Sequence, residues 1–150
     1  MRIILHEARF NSLFGVVCSL ATLSGYSHGS IVDNGGQRWD TTFKRGWFGK
    51  TAPVASEPDR EIIVIDIPDA DPAEFLEANI GRKYDALGLV LWPWRRENPD
   101  NWYCFEALDR CLKSVGIDLK LGKAVSAKTI LAGLLDLGYT ASITRGKHCA

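Results

Sequence analysis

At 150 residues the chain is long enough for one domain with a sizeable core. Its composition, 46% hydrophobic and 24% charged, is that of an ordinary globular protein. The 18 basic and 18 acidic residues cancel, which argues against a nucleic-acid binder with its usual basic excess.

Arg2 to Leu5, "RIIL", reads as a short strand. Asn11 or Ser12 can cap a helix that runs to about Leu23, where Gly25 ends it. The apolar run inside it, Leu13 to Leu23, has the character of a signal-peptide core. Glu7 and Asn11 interrupt the region before it, no small-residue cleavage site follows, and the run is too short to span a membrane. It therefore reads as a buried helix. A strand runs from His28 to Val32, "DNGG" at Asp33 to Gly36 is a hairpin turn, and Gln37 to Phe43 is the return strand. Lys44 to Asp59 is rich in glycine, proline and aromatic residues and has no clear period. It reads as a long surface loop carrying Trp47 and Phe48, and the pairs Lys44–Arg45 and Arg95–Arg96 read as solvated loop charges.

Glu61 to Ile67, "EIIVIDI", is the strongest strand, with the near-continuous apolar character of one covered on both faces. Asp71 caps a helix that has Pro72 at its first position and runs to about Ile80. Tyr84 to Trp92 is apolar and reads as helical, and "WPWRRENPDN" as a loop. Trp102 to Val115 is an amphipathic helix stopped by Gly116. Ser126 to Leu137 is a further helix, Tyr139 to Ile143 a last strand, and "RGKHCA" a frayed tail. The order strand, helix, strands, helices, strand predicts a single α+β domain over residues 1–150 with a mostly antiparallel sheet packed against helices.

The cysteines are Cys18, Cys104, Cys111 and Cys149, with no C-x-x-C pair, so a zinc ribbon is not expected. Cys104 and Cys111 are seven apart on one helix, which sets their Cα atoms roughly 10 Å apart. A disulfide needs less than about 7 Å, so reduced thiols and a reducing compartment of synthesis are expected.

Asn101 is a good helix cap, which puts Cys104 at the third helical position. There the free N–H groups and the helix dipole favour a thiolate, and the same N–H groups suit an oxyanion. The plainer alternative is that Cys104 belongs to a core stripe with Leu108, Cys111 and Val115. A thiolate nucleophile needs a base. His148 lies in the tail and His6, after the first strand, reads as a surface residue. His28 opens the hairpin, a rigid place for a base, or for a histidine that simply bonds at a strand edge. A third group must orient it. A three-residue loop, Asn34 to Gly36, pairs Asp33 with Gln37 and brings Asp40 to the face of His28; a two-residue loop puts Asp40 on the other face and leaves Gln37 as the fallback.

In this order the residues resemble a known family. "YSHGSIV" resembles the histidine strand of the NlpC-like papain-fold cysteine peptidases in their circularly permuted branch, where the histidine precedes the cysteine. "GRKYDALGL", Gly81 to Leu89, resembles the family's Gly-x-x-Tyr-Asp segment, and "WYCFEAL" the start of its cysteine helix. "RIIL", a helix and then "SGYSHGSI" match the layout of phage-encoded members, so the resemblance spans roughly Met1 to Val115. One departure is Phe105, where the family usually has serine.

The resemblance implies a permuted NlpC-type fold, with Cys104 as nucleophile, His28 as base, a polar third residue that Asp40 would supply, and Tyr84 near the oxyanion. It implies no metal and no cofactor. It further implies hydrolysis of amide bonds in the stem peptides of bacterial cell walls, with other phage tail proteins as partners, no nucleic acid and no membrane span. The implied setting is a tail tip or baseplate of a virion, after synthesis in the bacterial cytoplasm. The tryptophans Trp94 and Trp102, with Trp47, Phe48 and Trp92, would line a substrate groove or pack against a neighbouring subunit. Two other functions fit the same residues. One is a structural tail or baseplate protein with a vestigial site. The other is an acyltransferase or lipid amidase of the lecithin:retinol acyltransferase-like type, which would need an apolar pocket near Cys104.

Overall fold

The computed structural model describes residues 1–8, 24–42, 44–52, 61–86, 100–122 and 125–145, and Val16 as a single helical position. Apart from Val16, the expected helix running to about Leu23 lies outside them, as does the tail from residue 146. Among the described residues the named elements follow in order: β1 (Arg2–Glu7), β2 (Tyr26–Val32), β3 (Arg38–Thr41), β4 (Phe48–Thr51), β5 (Glu61–Asp66), α1 (Ala73–Ala78), β6 (Lys83–Tyr84), β7 (Asn101–Trp102), α2 (Cys104–Ser114), α3 (Ala127–Asp136) and β8 (Ala141–Arg145). Six of the strands form one antiparallel sheet in the order β4-β3-β2-β1-β5-β8, and β6 and β7 form a separate parallel pair. The protein is therefore α+β with a mostly antiparallel sheet.

The register sorts the two faces. Ile3 pairs with Ile31 and Ile65, Leu5 with Gly29 and Ile63, and Ile31 with Trp39. Side chains alternate along a strand, so these residues share one face. They join the main core with Leu108, Cys111 and Leu112 of α2 and Ile130 and Leu134 of α3. The other face carries a smaller apolar group, Ile4, Val32 and Ile62, and beside it a set of buried polar residues: His6, Ser30, Arg38 and Asp40.

Several elements differ from expectation for identifiable reasons. The expected loop from Lys44 contains β4, which pairs with β3 from Thr41–Phe48 to Arg38–Thr51. Its pattern is hidden because Gly49 lies under the Trp47 ring, where a Cβ would come within 2.2 Å of Trp47 Cζ3, so an apolar alternation is impossible there. Phe48 is buried, not looped out. Tyr84 lies in β6 rather than opening a helix, since its N–H donates to Gly46 O at 2.8 Å and its strand pairs with β7; residues 87–99, which hold Trp92 and Trp94, lie outside the described residues. Asp71 accepts from Ala73 N at 3.1 Å, but Pro72 stands at the cap position of α1, one residue later than expected. Ser126 caps α3 and accepts from Thr129 N at 3.2 Å. Among the described residues no helix is long and apolar enough to cross a membrane.

Candidate active site

The turn between β2 and β3 fixes the site. Gly36 N donates to Asp33 O at 3.0 Å and Asp33 N to Gln37 O at 3.0 Å, closing a three-residue loop over Asn34, Gly35 and Gly36. Gly36 has φ 82°, a left-handed conformation that glycine adopts without strain. With Val32 opposite Arg38 and Ile31 opposite Trp39, the parity of the hairpin puts Asp40 on the face of His28. The Gln37 side chain turns away, donating to Arg38 O at 2.8 Å and Thr51 O at 2.9 Å.

His28 Nε2 donates to Asp40 Oδ2 at 3.1 Å. With Nε2–H held by a carboxylate, the ring's lone pair lies on Nδ1. Asp40 is buried, its side chain 2% exposed, and is surrounded by donors. Arg38 reaches Oδ2 at 3.2 Å, Thr51 Oγ1 donates to Oδ2 at 3.4 Å, and the Arg45 guanidinium bonds both Oδ1 and the Asp40 carbonyl. Burial would push the carboxyl up; the His28 hydrogen bond and the charges of His28, Arg38 and Arg45 outweigh it and hold Asp40 below the usual carboxylate range.

His6 belongs to the same cluster and is fully buried inside β1, not a surface residue. Its ring centroid is 5.3 Å from that of His28, across the β1–β2 ladder. Arg38 approaches His6 Nε2 at 3.3 Å, and a guanidinium only donates, so Nε2 accepts and His6 carries its proton on Nδ1. Ser30 Oγ lies 2.9 Å from the same nitrogen. The sequence signal for His6 was its parity with Ile4 on a strand longer than "RIIL" suggests. In the sequence Arg45 reads as a solvated charge because nothing local shows that its turn folds back on Asp40.

Cys104 is the first residue of α2, not the third helical position. Asn101 is not the cap: its backbone is extended in β7 opposite Lys83, and Tyr103 stands at the cap position. Glu106 accepts from Tyr103 N at 3.2 Å and places a carboxylate in the first turn, where the dipole favours it. Cys104 is 3% exposed and shares the core stripe with Leu108 and Cys111. Cys111 is a free thiol, and burial pushes it up to about 12.

The helix packs on β2 where the strand has no side chain. A Cβ at Gly29 would meet Leu108 Cδ1 at 2.5 Å and the Phe105 ring at 3.3 Å. Phe105 thus fills the space over Gly29. Alternation then turns His28 to the opposite face. The structure brings His28 and Asp40 together and puts Cys104 on the helical side of the same strand. Among the described residues no hydrogen bond joins Cys104 Sγ to His28.

Tyr84 lines a cavity of about 620 Å³ with Gly46, Trp47, Ile80, Gly81 and Lys83, and Trp47 is 40% exposed there. Trp102 is buried: it stacks on Phe75 at 5.8 Å, and the Arg82 and Arg110 guanidinium carbons lie 4.9 and 5.1 Å from its ring centroid. Among the described residues no group of His, Cys, Asp and Glu side chains is arranged to hold a metal ion. No protein-family model matches the chain, and no curated protein matches it.

Proposed function

We propose that the chain is a thiol-dependent hydrolase of amide bonds in which Cys104 is the nucleophile, His28 the general base and Asp40 the group that orients the base. The observation that carries this reading is the bond from His28 Nε2 to Asp40 Oδ2. A buried, ionised carboxylate fixes the imidazole on two rigid strands and leaves Nδ1 to take a proton, which supplies the base and its orienting group but not the contact with the nucleophile. In the proposed reaction, which requires Cys104 Sγ and His28 to meet on one side of β2, Nδ1 removes the Cys104 proton and the thiolate attacks the amide carbonyl. The first-turn N–H groups of α2 receive the oxyanion. The imidazolium then returns the proton to the departing amine, and water hydrolyses the thioester. The resemblance of the histidine and cysteine segments supports peptide stems of bacterial cell walls as substrate, at a phage tail tip or baseplate. The cavity beside Tyr84 and Trp47 offers an aromatic wall for such a stem.

A second reading is favoured by one observation, the burial of Cys104 on the side of β2 opposite His28. On this reading the chain is a structural tail or baseplate component that keeps the fold without the activity.

One experiment separates the two. Purified protein is incubated with peptidoglycan and the soluble fragments are analysed by mass spectrometry. The hydrolase reading requires stem fragments from the wild type and none from Cys104→Ala or His28→Ala. Identical behaviour of the three proteins leaves the structural reading standing.

A further inference from the structure

We infer that Arg45 is a positioning residue of the site, which clamps Asp40 so that its Oδ2 stays turned towards His28. The inference rests on the hydrolase reading for its kinetic consequence and on geometry alone for its structural one.

Asp40 has two oxygens and several claimants. If the carboxylate rotated, Oδ2 would leave His28. The Arg45 guanidinium prevents this by bonding Oδ1 and the Asp40 carbonyl with the same nitrogen, fixing the side chain against its own backbone. Oδ2 is then the oxygen left to His28, Arg38 and Thr51. Arg45 can do this because its other donors are also tied: Nε donates to Trp47 O at 3.1 Å and Nη1 to Lys50 O at 3.0 Å. Its guanidinium carbon lies 4.8 Å from the Trp47 ring centroid, within cation–π range. The turn itself is closed by Gly46 N on Thr42 O at 2.8 Å, with Gly46 at φ 78°. A planar, five-donor fork suits such a junction, and a lysine ammonium does not replace it.

The two arginines on Asp40 divide the work. Arg38 is 4% exposed and joins Asp40 to His6 within the buried face. Arg45, 20% exposed, joins Asp40 to β4 and to Trp47 at the rim of the cavity. The groups facing His28 in the described residues are Asp40 from β3 and the His6 ring from β1; those facing Asp40 are His28, Arg38, Arg45 and Thr51.

The test uses the full chain as wild type, Arg45→Gln and Arg45→Lys, each checked for fold by near-ultraviolet circular dichroism. The primary readout is the His28 ring in nitrogen-15 spectra. The wild type should show an Nε2 proton shifted downfield and slow to exchange, the signature of the bond to Asp40. Arg45→Gln should lose that proton, and Arg45→Lys should recover it incompletely. A folded Arg45→Gln that keeps the Nε2 proton as in the wild type overturns the proposal. Should Arg45→Gln not fold, the wild type still decides: the Arg45 Nε–H must exchange much more slowly than an exposed arginine's, and exchange at the exposed rate overturns it. Where the wild type hydrolyses peptide, kcat of Arg45→Gln should fall on the order of tenfold to a hundredfold with KM within about twofold, the cost of a slightly misplaced base. A wild type without hydrolysis but with the Arg45-dependent Nε2 proton refutes the hydrolase reading and leaves the clamp intact.

Discussion

Gly29 of β2 and Leu108 of α2 meet so closely that a methyl group at position 29 would lie 2.5 Å from Leu108 Cδ1. The contact seats the cysteine helix on the sheet. Gly29→Ala should therefore destabilise the fold by about 1–3 kcal/mol through overpacking. Leu108→Ala alone should cost about 2–5 kcal/mol through the cavity it leaves. In urea titrations the double variant should cost less than the sum, because each change relieves the other. Strict additivity would show that the contact is not shared.

Asp40 sets the second prediction. Removing it takes from Arg38, 4% exposed, the carboxylate oxygen 3.2 Å from its guanidinium. Asp40→Ala should destabilise by about 3–5 kcal/mol, measured by thermal or denaturant unfolding. Asp40→Asn keeps the shape and removes the charge. Under the hydrolase proposal its kcat should drop by about 10²- to 10⁴-fold, the usual range for a general base deprived of its orienter.

Acid should act through the same carboxylate. Its folded-state pKa lies below the ordinary value, so its ionised form is favoured by folding. The resulting stability is fully present above the unfolded carboxylate value of about 3.9 and is lost as pH falls through the lower folded value. Unfolding followed from pH 6 downwards should show a step in this acid range that is missing in Asp40→Asn. An unchanged acid limb in the variant would assign the step to other carboxylates.

The two described thiols should differ sharply in reactivity. Cys111 is fully buried and pushed up to about 12, so it is protonated at neutral pH. Its stability contribution is complete below the ordinary thiol value and declines as pH rises towards 12. With Cys18 and Cys149 replaced by serine, iodoacetamide at pH 8 should label Cys111 only after denaturation. Rapid native labelling at Cys111, read by peptide mapping, would contradict the burial described. At Cys104 the hydrolase proposal requires faster labelling than an ordinary buried thiol and loss of that rate in His28→Ala.

Much of this arrangement was readable from local chemistry. The Asp33–Gly36 turn left two registers open, and the three-residue loop selects the one that brings Asp40 to His28. The strand at β5 and the helix at α3 follow from an apolar run and a serine cap. What was hidden depends on distant partners. Strand β4 pairs through Gly49, whose missing side chain erases the alternation. Arg45 looks solvated until its turn meets Asp40, and His6 looks exposed until β2 and Arg38 cover its ring. Parity also shows what spacing could not, that the Gly29 contact sends α2 and His28 to opposite faces of β2.

The strand order carries a cost in time. β5 pairs with β8 through partners as distant as Glu61 and Arg145, so one flank of β5 cannot be covered until residues 67–140 have been made. At cellular elongation rates this interval is on the order of ten seconds. Throughout it the Ile62–Ile65 segment presents open backbone donors and acceptors beside an apolar run, the form of surface that recruits other chains. Yield of the native protein should thus depend on translation speed and chaperone supply through the β5 flank, while the β2–β3 hairpin bearing His28 and Asp40 can close as soon as it emerges.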